Sequence, residues 1–216
     1  QAPYRYPIVA AGTEIGRLHF SGTPRHVNLL DAIAPLLASQ LNGALEQTRW
    51  LNRAITDPLT GILNRRGLEL RSAALVESAI ARGVPVSVVL LDRDHFKRVN
   101  DYHGHDVGDR ALKATAEILS SHMRTEDLVV RWGGEEFVAV LVDADVTAAI
   151  EIVKRVKTEL RDKRLPPIAW SLTLSAGVAG GTTPTETGSI SAWVFEADIA
   201  LKRAKESGRD RIESIA

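Results

Sequence analysis

The chain has 216 residues, 44% hydrophobic and 25% charged, enough to bury a sizeable core in one domain with an appendage or in two small domains. Its 27 basic and 27 acidic side chains cancel, so composition gives no general affinity for nucleic acid or an anionic membrane surface. The absence of cysteine excludes disulfides, thiolate catalysis and zinc sites built from Cys, and is compatible with a reducing cytoplasm.

No apolar run approaches the roughly 18 residues needed to span a bilayer, and no signal peptide opens the chain. The sequence starts at Gln1, and we expect a piece of a longer protein. The expected location of this piece is cytoplasmic, with membrane attachment of the full-length protein left open.

In chain order, Ile8-Val9-Ala10 and Ile15 to Phe20 read as two short strands turning at Gly12-Thr13-Glu14. A lone hairpin is marginal, so residues 1–26 are expected to be the remnant of an upstream domain. Residues 27–56 read as a helical stalk. Leu30, Leu37, Ala44 and Leu51 recur every seven residues, and Ala34, Leu41, Thr48 and Ile55 follow each by four, the spacing of a coiled-coil seam. An amphipathic helix packed on its own domain fits the same pattern. Pro35 would kink a helix interior, which places the expected start near Ala34.

From Asp57 onward, strands and helices alternate. Helices are expected over Arg66–Arg82, Asp106–Met123, Val146–Arg161 and Ser191–Glu206. Strands are expected over Val86–Leu91, Leu128–Trp132, Phe137–Val142 and Leu172–Ala179. Gly133-Gly134-Glu135-Glu136 separates the middle two strands as a hairpin turn, and Gly180 to Ser189 reads as a polar loop. The order is that of a split βαβ, ferredoxin-like α+β core with a central antiparallel sheet and surrounding helices.

Two segments carry chemistry. Asp92-Arg93-Asp94 follows an apolar strand, and Gly133-Gly134-Glu135-Glu136 lies at a hairpin tip, its glycines free to take positive φ and to admit a bulky ligand. Brought together, they would gather up to four carboxylates. Such a cluster repels itself unless hard cations bind it, which points to Mg²⁺ or Mn²⁺ shared with substrate phosphates. Read alone, each segment is equally a surface turn with solvated acids. His95, His103 and His105 alternate in an expected loop, a weak pattern for zinc.

The hairpin resembles the signature of the GGDEF family in its GGEEF form, Gly133-Gly134-Glu135-Glu136-Phe137. Four further motifs accompany it: Asp57-Pro58-Leu59-Thr60-Gly61 through Asn64-Arg65-Arg66, Asp92-Arg93-Asp94-His95-Phe96-Lys97 with Asn100-Asp101, Gly104-His105 with Gly108-Asp109, and Ala204-Lys205 with Gly208-Arg209. The resemblance assigns residues 57–216 to a diguanylate cyclase domain. It implies condensation of two GTP into cyclic di-GMP with release of two pyrophosphates, using two Mg²⁺ or Mn²⁺ per GTP site and two domains face to face. A non-catalytic receptor for GTP or cyclic di-GMP is the alternative, and a monomeric cyclase or polymerase palm shares the metal logic.

The resemblance also implies roles. Asp92, Glu135, Glu136 and the carbonyl of Arg93 would hold metal, with Glu135 favoured as the base for the ribose 3′-hydroxyl. Asn100 and Asp109 would read guanine. The Phe96 amide, Lys97, Lys205 and Arg209 would meet phosphates, beside Gly133 and Gly134. Lys205 and Arg209 alone are equally solvated charges near a helix end.

Arg124 and Asp127 have the spacing of the family's R-x-x-D product-inhibition site, with Arg155 as a secondary contact. Asp57, Asn64 and Arg66 are expected to lock the start of the domain. Two departures stand out: Lys202 replaces an aromatic residue, and Arg93 replaces an apolar one whose side chain is expected to matter little. Homodimerisation through the stalk, an upstream sensor domain and no nucleic-acid partner complete the expectation. The hairpin and helix over Val9 to Leu45 faintly resemble the end of a GAF-type sensor.

Overall fold

The computed structural model describes residues 4–10, 13–20, 27–185 and 189–215. The chain divides into two compact units, Gln1–Ala54 and Ile55–Ala216. In the first, β1 (Tyr4–Ala10) pairs antiparallel with β2 (Thr13–Phe20), so Thr13 and Glu14 are strand residues; Gly12 lies outside the described residues. Helix α1 spans Val27–Ile55 and carries Pro35 within it, so it begins a full two turns before the expected start. Ala34 and Ala38 are buried, whereas Leu37, Leu41 and Leu51 stand 36%, 43% and 55% exposed, with Ala44 and Thr48 also exposed. The side chain of Leu30 lies outside the described residues.

The second unit is a six-stranded sheet in the order β3-β5-β6-β4-β7-β8. Its centre is the ferredoxin-like set: β4 (Val86–Arg93), β5 (Leu128–Arg131), β6 (Glu136–Val142) and β7 (Leu174–Thr182), all neighbours antiparallel. Two short parallel edges, β3 (Leu63–Asn64) and β8 (Ile212–Ser214), extend it. Both are too short for a period-2 pattern to be visible in sequence. The expected loop from Gly180 begins later, because Gly180 and Gly181 close β7 in left-handed conformations, φ 89° and 78°.

Every residue of β4 is buried, and its side chains feed two cores alternately. Val88 and Leu90 pack with α2 (Arg65–Arg82) and α6 (Ser189–Glu206) on one face. Val89 and Leu91 pack with α3 (Phe96–His103), α4 (His105–Ser121) and α5 (Val146–Asp162) on the other. Helix α3 falls where a loop is expected; its eight residues are too few for a clear helical period. Helix α6 lies directly on β7, since a Cβ on Gly177 would fall 1.9 Å from the Ala197 carbonyl oxygen. This close approach fixes the end of α6, and with it Lys205, above the end of β4.

The start of the unit is locked as expected at two of three positions. Asp57 accepts from Thr60 N at 2.9 Å and pairs with Arg131 at 3.0 Å, and Asn64 caps α2 by accepting from Gly67 N at 2.9 Å. Arg66 is exposed and makes no such bond among the described residues. Its neighbour Arg65 instead stacks over Trp132 at 4.4 Å.

Candidate active site

Antiparallel pairing of β4 with β6 brings the two acidic segments together. Asp92 sits opposite Glu136 in register, and the Arg93 amide donates to the Glu135 carbonyl at 3.3 Å. The turn closes as Trp132 N and Gly133 N donate to the Glu136 carbonyl at 2.8 and 3.2 Å. Neither Gly133 nor Gly134 uses the positive φ open to it. A Cβ on Gly133 would fall 2.6 Å from Glu136 Oε2 and push that carboxylate aside, while Gly134 faces open space.

Three of the four acids lie around the paired ends of β4 and β6. Asp92 is buried, and Glu135 and Glu136 are half-buried. Asp94 lies one residue past β4 and turns away: it accepts from Thr173 Oγ1 at 2.8 Å, Ser175 Oγ at 2.7 Å and Asp210 N at 3.0 Å. Burial raises the pKa of Asp92, with Asp94 adding to the shift and Lys205 and Arg209 opposing it. Burial and then the charge of Asp92 raise Glu135 and Glu136, the latter also through Asp198, a neighbour with no sequence signal. A site that raises all three carboxyls is short of positive charge. Lys205, in the last turn of α6, supplies part of it at 2.8 Å from Asp92 Oδ2.

Among the described residues, no three His, Asp or Glu side chains converge to hold an ion by themselves. The donor set still fits Mg²⁺, which keeps few protein carboxylates and completes its shell with water and substrate phosphate oxygens. Asp92, Glu135, Glu136 and the Arg93 carbonyl are the candidate ligands.

The Arg93 side chain overturns the expectation that it matters little. It is 1% exposed, donates to Thr115 Oγ1 at 3.1 Å on α4, and leaves Nε without a partner. Burial pulls its pKa down to about 10, against the upward pull of Asp94 and Glu135. Strand alternation carries it inward, between the sheet and α4.

The remaining candidates flank this centre. Phe96 is buried and starts α3, whose first-turn amides have no partner within the helix, while Lys97 is exposed. Asn100 on α3 meets α4 so closely that a Cβ on Gly108 would fall 1.9 Å from its Oδ1, which is buried without a partner; Asp109 is adjacent and exposed. Arg209 lies beyond the end of α6 in a left-handed turn, φ 62°, rather than on the helix with Lys205. His103 stacks on Trp170 with ring centres 5.2 Å apart, and His95 is exposed in a left-handed position before α3.

Arg124 and Asp127 line a cleft of about 340 Å³ with Arg71, Ile62 and Met123. Asp127 is also structural: its carboxylate accepts from Arg124 N at 2.8 Å and from Val142 N at 2.9 Å. Arg155 lines a separate shallow surface on α5.

The model of the family described as "Diguanylate cyclase, GGDEF domain" matches residues 54–211. The chain belongs to the GGDEF diguanylate cyclase family. Among curated relatives of this GGDEF chain, the response regulator PleD of Caulobacter vibrioides is 36% identical over 170 residues, 75% of this chain and 36% of PleD. The diguanylate cyclase DgcP of Pseudomonas aeruginosa is 38% identical over 179 residues, 82% of this chain and 26% of DgcP. The chain thus spans 36% or less of the length of these relatives. The coiled coil and GGDEF domain of DgcB from Caulobacter crescentus, solved with c-di-GMP, shares the fold at TM-score 0.74 and 24% identity, covering 88% of this chain and 100% of that one. SiaD of Pseudomonas aeruginosa, solved with its activator SiaC, matches at TM-score 0.67 and 36% identity over 88% of this chain and 75% of SiaD. Among the described residues no helix is long and apolar enough to cross a membrane.

Proposed function

We propose that this GGDEF domain condenses two GTP into cyclic di-GMP and two pyrophosphates. The observation that carries this reading is the register of Asp92 against Glu136, which sets the two acidic segments side by side with Lys205 2.8 Å from Asp92. Asp92, Glu135 and Glu136 would hold two Mg²⁺ or Mn²⁺ per GTP site with the Arg93 carbonyl. Bound there, the ions supply charge neutralisation at the phosphoryl group and lower the pKa of the attacking hydroxyl.

The protein's own groups do the rest. Asn100 and Asp109 hydrogen-bond the guanine edge. The Phe96 amide, Lys97, Lys205 and Arg209 hold the phosphates. Glu135 accepts the proton of the 3′-hydroxyl as the hydroxyl oxygen bonds to the α-phosphorus of the other GTP, and the bond from that phosphorus to the α–β bridging oxygen breaks, so that pyrophosphate leaves. The reaction repeats in the opposite sense to close the ring. Two domains are needed, and the exposed leucines of α1 support pairing of two chains as a homodimer, with an upstream sensor domain in the full-length protein. Cyclic di-GMP held at Arg124 and Asp127, with Arg155 from a further surface, feeds back on turnover. This piece carries out its chemistry in the cytoplasm.

Incubation with GTP and Mg²⁺, with the product identified by mass spectrometry, tests the reading. Asp92→Asn and Glu135→Gln are expected to abolish turnover; because Asp92 is buried, folding of that variant is checked by circular dichroism. Activity retained within about tenfold, roughly 1.4 kcal/mol of barrier, counts against the site. Binding of GTP or cyclic di-GMP without turnover by the unaltered chain favours a receptor instead.

A further inference from the structure

The turn after α6 holds three successive residues with positive φ: Gly208 at 109°, Arg209 at 62° and Asp210 at 47°. Left-handed backbone at two adjacent non-glycine residues is strained and persists only where the surroundings over-determine it. Here they do. Asp210 N donates to Asp94 Oδ2 at 3.0 Å, and the Asp210 carboxylate pairs with Lys157 at 2.9 Å and with Arg161 at 2.6 Å. Lys157 is pinned in turn, donating to the Leu174 carbonyl at 2.9 Å with a side chain only 11% exposed. Behind this, Asp94 is fixed by Thr173 and Ser175. The end of β4, the start of β7 and the face of α5 therefore converge on one residue, Asp210, directly after Arg209. The Arg209 side chain itself is exposed and has no ion pair among the described residues.

We infer that Asp210 is a positioning residue for Arg209, with Lys157 and Arg161 of α5 as its anchors. The inference rests on the reading of Arg209 as a contact to the terminal phosphates of GTP. The Asp210 carboxylate, itself 37% exposed, lies against α5, where Lys157 is the buried partner and Arg161 the exposed one, and it is given no contact to substrate. Its pairs hold the backbone in the left-handed turn that projects Arg209 toward the Asp92 end of the site. A guanidinium grips phosphate through directed, parallel hydrogen bonds, so its value depends on where its Cα is held. The sequence offers no hint of this role, since Lys157 and Arg161 lie about fifty residues away and read as the solvated face of a helix.

The test is calorimetric binding of a non-hydrolysable GTP analogue and of GMP to the full chain, unaltered and carrying Asp210→Ala, Lys157→Met, Arg209→Ala, or Arg209→Ala with Asp210→Ala. Asp210→Ala and Lys157→Met are expected to weaken the triphosphate about tenfold and GMP by less than about twofold, because GMP lacks the terminal phosphates. In the Arg209→Ala background, Asp210→Ala is expected to add nothing further. Equal loss of GTP analogue and GMP, no loss at all, or an additive effect in the double variant overturns the inference. If Arg209→Ala alone leaves triphosphate binding unchanged, the phosphate role of Arg209 falls, and the positioning role falls with it.

Discussion

Lys205 Nζ lies 2.8 Å from Asp92 Oδ2, a cation on the carboxylate that the proposed divalent ions require. The ammonium offsets part of the burial that raises Asp92, so in the metal-free domain it stands in for an ion. Lys205→Met leaves Asp92 without this partner. The metal-free variant is expected to melt about 2–4 °C lower, for a loss near 1 kcal/mol. Mg²⁺ without nucleotide should then raise its melting temperature more than it raises that of the unaltered protein, because no ammonium has to be displaced from Asp92. Equal Mg²⁺ shifts in the two proteins would show that Lys205 and the ion do not share Asp92.

The proposed reading places base choice at the junction of α3 with α4. Asn100→Ala and Asp109→Ala should weaken GTP binding and erode discrimination against ATP, since a site built to hydrogen-bond one base is left with unpaired buried groups by another. Gly108→Ala is a sharper probe. Its Cβ would stand 1.9 Å from Asn100 Oδ1, so the amide must move while every metal ligand stays in place. We expect at least about tenfold weaker GTP binding, near 1.4 kcal/mol, in competition with ATP. An undiminished preference for GTP in all three variants would place guanine elsewhere.

The acid end of the stability profile should report Asp57. Burial pushes this carboxyl up, but hydrogen bonds from Thr60 and the pair with Arg131 outweigh it and hold the pKa below its ordinary 3.8. The unfolded chain therefore binds the proton first as pH falls. The stabilisation is complete above 3.8 and is lost as pH drops through the lowered folded value. Asp57→Asn should cost about 1–2 kcal/mol in urea unfolding at pH 7. That gap should shrink toward pH 3; a gap that stays constant would assign the loss to shape rather than charge.

The motifs were legible because each is short, contiguous and placed at the end of an element with a strong pattern. Val86 to Leu91 announces a buried strand by composition, and the acids that follow it must lie at its end. What stayed hidden depends on side-chain direction. Asp92 and Asp94 are indistinguishable in sequence, yet one enters the acidic cluster and the other is consumed by Thr173, Ser175 and Asp210 N. Arg93 reads as a harmless polar departure, yet strand alternation drives it into the core against Thr115. Helix α3 was hidden by its length and by His95, His103 and His105, which suggest a loop. The heptad pattern of α1 does not separate into one face: Leu37, Leu41 and Leu51 are exposed, but Ala34 and Ile55 from the same heptads are buried within the chain.

Those exposed leucines carry a prediction of their own. A paired α1 raises the effective concentration of one cyclase domain beside the other. Cutting the chain at Ile55 should make specific activity rise steeply with protein concentration, whereas the full chain should show little dependence. Sedimentation of the full chain as a monomer at assay concentrations would remove the seam from the mechanism.

The proposed feedback by product gives Arg124 and Asp127 different parts. The Asp127 carboxylate spends both oxygens on backbone amides, Arg124 N and Val142 N, and so holds the turn before β5 against the end of β6. Asp127→Ala is therefore expected to cost stability as well as inhibition, which makes it a poor probe of the site. The exposed Arg124 side chain has no such duty among the described residues. Its guanidinium faces a cleft shared with Arg71, where it can grip a phosphate or the Hoogsteen edge of guanine with two parallel hydrogen bonds. Product bound there acts at a distance from Asp92, so inhibition should be non-competitive with GTP. Arg124→Ala should leave turnover without product nearly intact. It should raise the cyclic di-GMP concentration for half inhibition at least about tenfold, roughly 1.4 kcal/mol. Initial rates at rising product, beside calorimetric titration of product into both proteins, measure this. Equal inhibition of the two would show that the Arg124 turn is a structural element and nothing more.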